Sequence, residues 1–206
     1  FTCTILFSVL GQWNATHVFI MDTITVNCIS IAPDRSVWAA GVRFDLKNNS
    51  YNFSNSNLAL VSSLNTIDGN WKTNTLPIGK EVLTTSLSAV NDSVAFLSGM
   101  YNYKHAKILK TLDRGFNWVD ISPNFDPYFS YVAYVHFKNS QNGILISDPT
   151  LDEFGVFKTD NGGSSWLLVN SDSIPDALPS EFSINGCSYG NNIWFSTSYG
   201  RVFHSF

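Results

Sequence analysis

The chain has 206 residues, a net charge of −4, 14% charged residues and 15% aromatics. That balance excludes a disordered chain. Its 12 Lys and Arg are scattered singly, which excludes the basic stripe that nucleic acid would need. No uninterrupted apolar run is long enough to cross a bilayer.

Residues 1–11 open on an uncharged apolar stretch, Phe1–Leu10, followed by Gly11-Gln12-Trp13. They read as a truncated secretory signal peptide with cleavage between Gly11 and Gln12, the alternative being an ordinary buried first strand. Cys28 and Cys187 lie 159 residues apart with no metal-ligand spacing, and are expected to be buried free thiols on non-adjacent units. The Asn-rich stretch 45–58 reads as a long loop, and Asp172–Ser180, with its prolines, as a connection with room for one helical turn.

Between these segments, short apolar runs recur in chain order: Val37–Gly41, Val94–Gly99, Gly143–Ser147 and Asn192–Ser196. Each is entered from Asn, Asp, Ser or Gly, as strands are. A second series ends in a hydroxyl: Ile108–Thr111, Val156–Thr159 and Val202–Ser205, with the hydroxyls 48 and 46 residues apart. Trp71, Trp118 and Trp166 stand 47 and 48 apart. The repeating unit is therefore about 48 residues with several short strands, the size of a four-stranded propeller blade.

Two turns follow one chemical pattern, hydroxyl-x-Asp-x-Gly-x-x-Trp. One is built on Thr111, Asp113, Gly115 and Trp118; the other on Thr159, Asn161, Gly163 and Trp166. A carboxylate or amide can accept nearby backbone N–H groups and close such a turn. Gly supplies a positive φ, and Trp packs over the turn as the next strand begins. Asn65–Trp71 is a degenerate third copy.

These turns resemble the Asp box (BNR repeat) of sialidase-like β-propellers. The segments Gln12-Trp13, Ser36–Ala40, Tyr134–Phe137, Pro175–Phe182 and Gly200–Phe203 extend the resemblance to secreted Bacteroidetes propeller proteins, many with type IX secretion sorting domains. The resemblance implies an all-β fold and an export route, and no settled activity. Residues 12–206 are then a partial Asp-box propeller domain of about three and a half to four blades. Ser205 takes the hydroxyl slot of a fourth box, and the sequence reads as a fragment.

The candidate chemistry is thin. The four arginines lack the contexts that sialidases use, and a shared fold does not carry their chemistry. Asp148, Asp152 and Glu153 form the densest acidic group and are the candidate carboxylates for glycoside hydrolysis, against a reading as a polar loop. Tyr101, Tyr103, Tyr128 and Tyr131 fall in predicted connections. They are candidates for stacking on a sugar or filling a partner's pocket, against a reading as packing between blades. His136 reads as a hydrogen-bonded core residue and His204 as a strand-edge one. Asp160-Asn161-Gly162 lacks the Glu of a calcium loop, so neither metal nor cofactor is expected. The function expected is a secreted or cell-surface binding scaffold for a glycan or protein, the alternative a glycan-active propeller hydrolase.

Overall fold

The computed structural model describes residues 24–43, 59–64, 72–76, 82–101, 105–124, 129 and 131–205. Fifteen strands occur among them. The first sheet holds β1 (Ile24–Ile31), β2 (Val37–Arg43), β3 (Ala59–Leu64) and β4 (Lys72–Thr75). The second holds β5 (Val82–Ala89), β6 (Ala95–Tyr101), β7 (His105–Thr111) and β8 (Val119–Asp120). The third holds β9 (Val132–Phe137), β10 (Gly143–Thr150), β11 (Glu153–Thr159) and β12 (Leu167–Leu168). The last holds β13 (Ser183–Tyr189), β14 (Asn192–Thr197) and β15 (Val202–Ser205). Each sheet is an antiparallel meander in sequence order. The first strand of each sheet packs against the first strand of the next, β1 on β5, β5 on β9 and β9 on β13. The sheets therefore fan around a common axis as the blades of a partial β-propeller. The helical turn expected within 172–180 is a short 3-10 turn slightly upstream, Ser171–Ser173, with Asn170 as its cap.

The middle sheets are covered on both faces, so their central strands read as continuous apolar runs rather than alternating ones. In β6 the six residues Ala95–Met100 are all buried. Phe96 faces the third sheet, with Ile108, Val135, Phe137 and Phe157. Its neighbour Leu97 faces the first, with Trp38, Ala40, Leu87 and Leu109. A third cluster joins the last two sheets through Ile146, Phe154, Val156 and Phe195. Full burial of one such side chain contributes about 1.5–3 kcal/mol, so the interfaces between sheets carry most of the stability.

Side-chain hydrogen bonds supplement this packing at the inner strands. The Ser30 hydroxyl accepts the Ala89 N–H (2.9 Å), Ser86 accepts that of Val135 (3.1 Å), and Ser88 accepts that of Phe137 (2.8 Å). These amides lie on the edge of a sheet, where no strand pairs with them. At the third junction His136 stands in the serine position and meets the Ser188 hydroxyl at 3.1 Å. It is half-buried, stacks beside Tyr134, and burial holds its pKa below the ordinary value. His204 is exposed on the outermost strand, stacked on Trp194.

The two cysteines are free and sit on the first and last sheets, with Cys28 buried. Cys187 is exposed, contrary to expectation, because it lies on a face of the last sheet that no described residue covers. Residues 1–11, the stretch 45–58, the degenerate turn Asn65–Trp71, and Tyr103 and Tyr128 lie outside the described residues.

Candidate functional site

The meander sorts the connections onto two ends. First-to-second and third-to-fourth strand turns share one end. Second-to-third turns and the links between sheets share the other.

The hydroxyl-x-Asp-x-Gly-x-x-Trp turns occupy the first end, and both have one hydrogen-bond pattern. Thr111 donates to Asp113 Oδ1 (2.9 Å), Asp113 Oδ1 accepts the Asn117 N–H (2.8 Å), and Thr111 Oγ1 accepts the Gly115 N–H (2.9 Å). In the second turn Thr159 donates to Asn161 Oδ1 (2.9 Å), Asn161 accepts the Ser165 N–H (2.9 Å), and Thr159 accepts the Gly163 N–H (3.0 Å). An amide can replace the carboxylate because only its oxygen is used for the backbone bond. The Asn117 backbone N–H, then the Asn117 side-chain amide, holds the Asp113 carboxyl below its ordinary pKa. Gly115 and Gly163 take φ of +80° and +83°.

The tryptophans of these turns differ. Trp166 is buried and donates across to the Ile121 carbonyl of the preceding sheet (2.7 Å). Trp118 is only half-buried and turns onto its own Gly115 carbonyl (3.1 Å).

The described candidate residues, Tyr101, Tyr131, Asp148, Asp152 and Glu153, lie at the opposite end. Asp148 stands near the end of β10 and Tyr131 just before β9, with the Asp148 N–H donating to the Tyr131 carbonyl at 2.8 Å. Asp148 Oδ1 accepts both the backbone N–H (2.9 Å) and the hydroxyl (2.6 Å) of Ser183, the first residue of β13. Burial raises the Asp148 pKa against the pull of those two bonds. The Tyr131 hydroxyl is raised first by burial, then by the charges of Asp148 and Cys28. The structure therefore brings Asp148 and Tyr131 together beside the inner strands.

Asp152 and Glu153 do not join them closely. Leu151 and Asp152 form the tip of the β10–β11 hairpin with φ of +56° and +67°, and the Asp152 carbonyl receives the Ala177 N–H (2.7 Å). Two left-handed non-glycine residues cost roughly 1–2 kcal/mol each, and Leu151 is 77% exposed there. Glu153 begins β11 opposite Thr150. Tyr101 ends β6, half-buried, opposite Val82 and His105.

Sequence reasoning missed four residues at this end. Phe182 is 51% exposed and Tyr199 54%, on neighbouring segments joined by Ser198 N–H to the Phe182 carbonyl (2.9 Å). Tyr199 is fixed by its hydroxyl, which donates to the Pro179 carbonyl (2.8 Å). Beneath them Glu181, whose side chain has no exposed surface, accepts from Arg201 Nε (2.9 Å), Arg201 Nη2, the Thr197 hydroxyl and the Leu178 N–H (2.8 Å). The advance signal was that Glu181, Phe182 and Arg201 fell in the segments carrying the resemblance. Among the described residues no three of His, Cys, Asp and Glu converge to hold a metal.

Glu181 predicts an acid limb. Its hydrogen bonds, those of Arg201 foremost, lower its pKa from 4.5 to about 2. A lowered carboxyl stabilises the fold above its unfolded value and loses that contribution as pH falls through its folded value. Glu181→Gln should therefore be less stable than the parent at pH 7, with the difference shrinking between pH 4.5 and about 2. Urea titrations at several pH values check this, and a difference that stays constant down to pH 2 would contradict it.

Fold and site together define a β-propeller domain with an aromatic-rimmed end. No protein-family model and no curated protein sequence matches the chain. Solved structures do. YCF48 from Cyanidioschyzon merolae is similar over 90% of this chain and 54% of its own, at 15% identity and TM-score 0.61. YCF48 bound to D1 peptide is similar over 90% and 66%, at 14% identity and TM-score 0.53. The GH74 enzyme of Niastella koreensis is similar over 87% and 28%, at 11% identity and TM-score 0.60. At these identities the likeness is one of fold, and the chain spans between 28% and 66% of these proteins' lengths.

Proposed function

We propose that this propeller is a binding scaffold of the Asp-box type, exported to the cell surface or beyond, whose ligand end is formed by Tyr131, Asp148, Phe182 and Tyr199. The observation that carries the reading is the pair of half-exposed rings, Phe182 and Tyr199, held by backbone and hydroxyl bonds beside Asp148. Rings presented on a rigid frame recognise the apolar face of a sugar or an apolar side chain at little entropic cost. Asp148 fits this role because its Oδ1 is committed to Ser183 and helps hold the third and fourth sheets together. The likeness in fold to YCF48 bound to D1 peptide supports the reading. Export, and any type IX route, rests on the sequence resemblance and on the reading of residues 1–11. N-terminal sequencing of protein recovered outside the cell should begin at Gln12.

A second reading, a glycan-active hydrolase, is favoured by one observation. Burial raises the pKa of Asp148, as a general acid requires. One experiment separates the two. The protein is titrated with a panel of oligosaccharides and peptides while release of reducing ends is followed. A scaffold binds without turnover, and Phe182→Ser or Tyr199→Ser weakens binding about tenfold, the effect of about 1.4 kcal/mol. Reducing-end release that Asp148→Asn abolishes would instead establish the hydrolase.

A further inference from the structure

The inner strands share one irregularity. Each carries a single extra residue that shifts its register, Thr85 in β5, Ala133 in β9 and Ile184 in β13. Counted from that bulge, the next residue of one sheet serves the second residue of the following sheet, as where the Ser86 hydroxyl accepts the Val135 N–H (3.1 Å). At the third junction Tyr134 takes the place of Ser86, and Gly186 that of Val135. A Cβ on residue 186 would stand 2.4 Å from the Tyr134 ring, so the ring dictates a glycine there. With no serine to receive it, the Gly186 N–H turns to its own neighbour and donates to Asn185 Oδ1 at 2.8 Å.

Two other Asn–Gly pairs occur in the chain, Asn142-Gly143 and Asn161-Gly162. All three have the same local chemistry, because a glycine nitrogen has no Cβ beside it to hinder attack on the preceding carboxamide. The fold treats them differently. Asn161 Oδ1 is turned away to the Thr159 hydroxyl (2.9 Å) and the Ser165 N–H (2.9 Å), and its Nδ2 donates to the Ser165 hydroxyl (2.7 Å). The Gly162 N–H points elsewhere, to the Gln141 carbonyl (2.7 Å). Asn142 Nδ2 donates to Asn139 (3.1 Å), while Gly143 is paired in the ladder with Phe137 on one side and Thr159 on the other. At Asn185 alone among the three, the side chain is folded onto the nitrogen that follows it.

We propose that Asn185 is a site of spontaneous modification, converted to aspartate and isoaspartate through a cyclic imide formed with Gly186. The Gly186 nitrogen loses its proton to hydroxide and bonds to Asn185 Cγ. The Cγ–Nδ2 bond breaks, and the departing nitrogen takes up a proton from water and leaves as ammonia. Water then adds to one of the two ring carbonyls and breaks its bond to nitrogen, leaving a carboxylate on either the side-chain or the main-chain carbon. Holding the reacting atoms together is what accelerates the first step. The isoaspartate product adds one carbon to the main chain of β13, between the bulge at Ile184 and the Tyr134 ring. It lies two residues from Ser183, which Asp148 holds, so conversion slackens the joint between the third and fourth sheets.

The test incubates the full chain in mildly alkaline buffer and follows each Asn–Gly pair by peptide mapping, with enzymatic methylation reporting isoaspartate. The expected result is conversion at Asn185 at least about tenfold faster than at Asn142 or Asn161 while the protein is folded. In concentrated urea the three rates should converge, since each asparagine then precedes an unconstrained glycine. Tyr134→Ser, which offers the Gly186 N–H a hydroxyl as Ser86 does for Val135, should slow Asn185 toward the other two. Should that variant fail to fold, the ranking of the three sites in the parent decides. Folded-state conversion at Asn185 no faster than at Asn161 would overturn the inference. So would a ranking that persists unchanged in urea, or a folded Tyr134→Ser variant that converts as fast as the parent.

Discussion

Replacing Gly162 by alanine is expected to be among the most damaging single-atom additions to this protein. Gly162 has φ of +67°, and a Cβ there would stand 2.6 Å from the Ser140 carbonyl oxygen and 2.6 Å from the Lys110 ammonium. The lysine end can move away, but the backbone carbonyl cannot move without disturbing the β9–β10 turn. The left-handed conformation costs a residue with a Cβ about 1–2 kcal/mol, and overpacking adds about 1–3 kcal/mol. The expected loss is therefore about 2–5 kcal/mol. The equivalent position in the second sheet is Arg114, which tolerates φ of +63° because its side chain leaves the turn to pair with Asp92. Gly115→Ala is the internal control. It shares the positive φ, but its nearest neighbours lie at 3.6 Å, so only the conformational cost of about 1–2 kcal/mol applies. Urea unfolding of both variants measures the gap. Equal losses would show that crowding by Ser140 is not what constrains the turn.

Trp38→Ala is expected to cost about 3–5 kcal/mol, the range for truncating a fully buried large aromatic. Trp38 has no exposed surface and packs among Leu87, Leu97 and Leu109 of the second sheet. Its indole N–H donates to the Asn91 carbonyl at 2.9 Å, so it joins two sheets by packing and by a directed bond. Trp38→Phe separates these contributions. It retains most of the ring but leaves the Asn91 carbonyl unpaired, at about 1–3 kcal/mol. If thermal and urea unfolding of Trp38→Phe match the parent, the bond does not contribute to holding the sheets together.

The turns were legible in the sequence because their chemistry is local. Thr111, Asp113, Gly115 and their counterparts act within five residues of one another, so spacing alone conveys their geometry. The strands were legible for a related reason, since runs such as Ala95–Met100 are buried on both faces and carry no competing polar signal. The candidate site at the opposite end was much less legible. Asp148, Asp152 and Glu153 are neighbours in sequence, but the hairpin puts Asp148 at its stem and Asp152 at its tip. The bond that defines Asp148 reaches Ser183, 35 residues away. Phe182 and Tyr199 look like ordinary core aromatics until the fold leaves them half exposed. Trp118 and Trp166 occupy one motif slot and differ in burial because each indole finds a different carbonyl, which no spacing rule distinguishes.

The serine hydroxyls that join the inner strands have a consequence for motion. The amides of Ala89, Val135 and Phe137 lie on sheet edges with no strand beside them, where amide protons ordinarily exchange quickly with solvent. Here each is held by a side chain of the preceding sheet. Releasing those protons requires two sheets to part, without either one melting. Deuterium uptake at these three amides therefore gauges the opening of a joint, while uptake at Leu97 or Leu145, deep within a ladder, gauges unfolding of the sheet itself. Because the gauge is built from single hydroxyls, replacing Ser88 by alanine would free the Phe137 amide while leaving the Ser86 bond and the apolar packing of that joint in place.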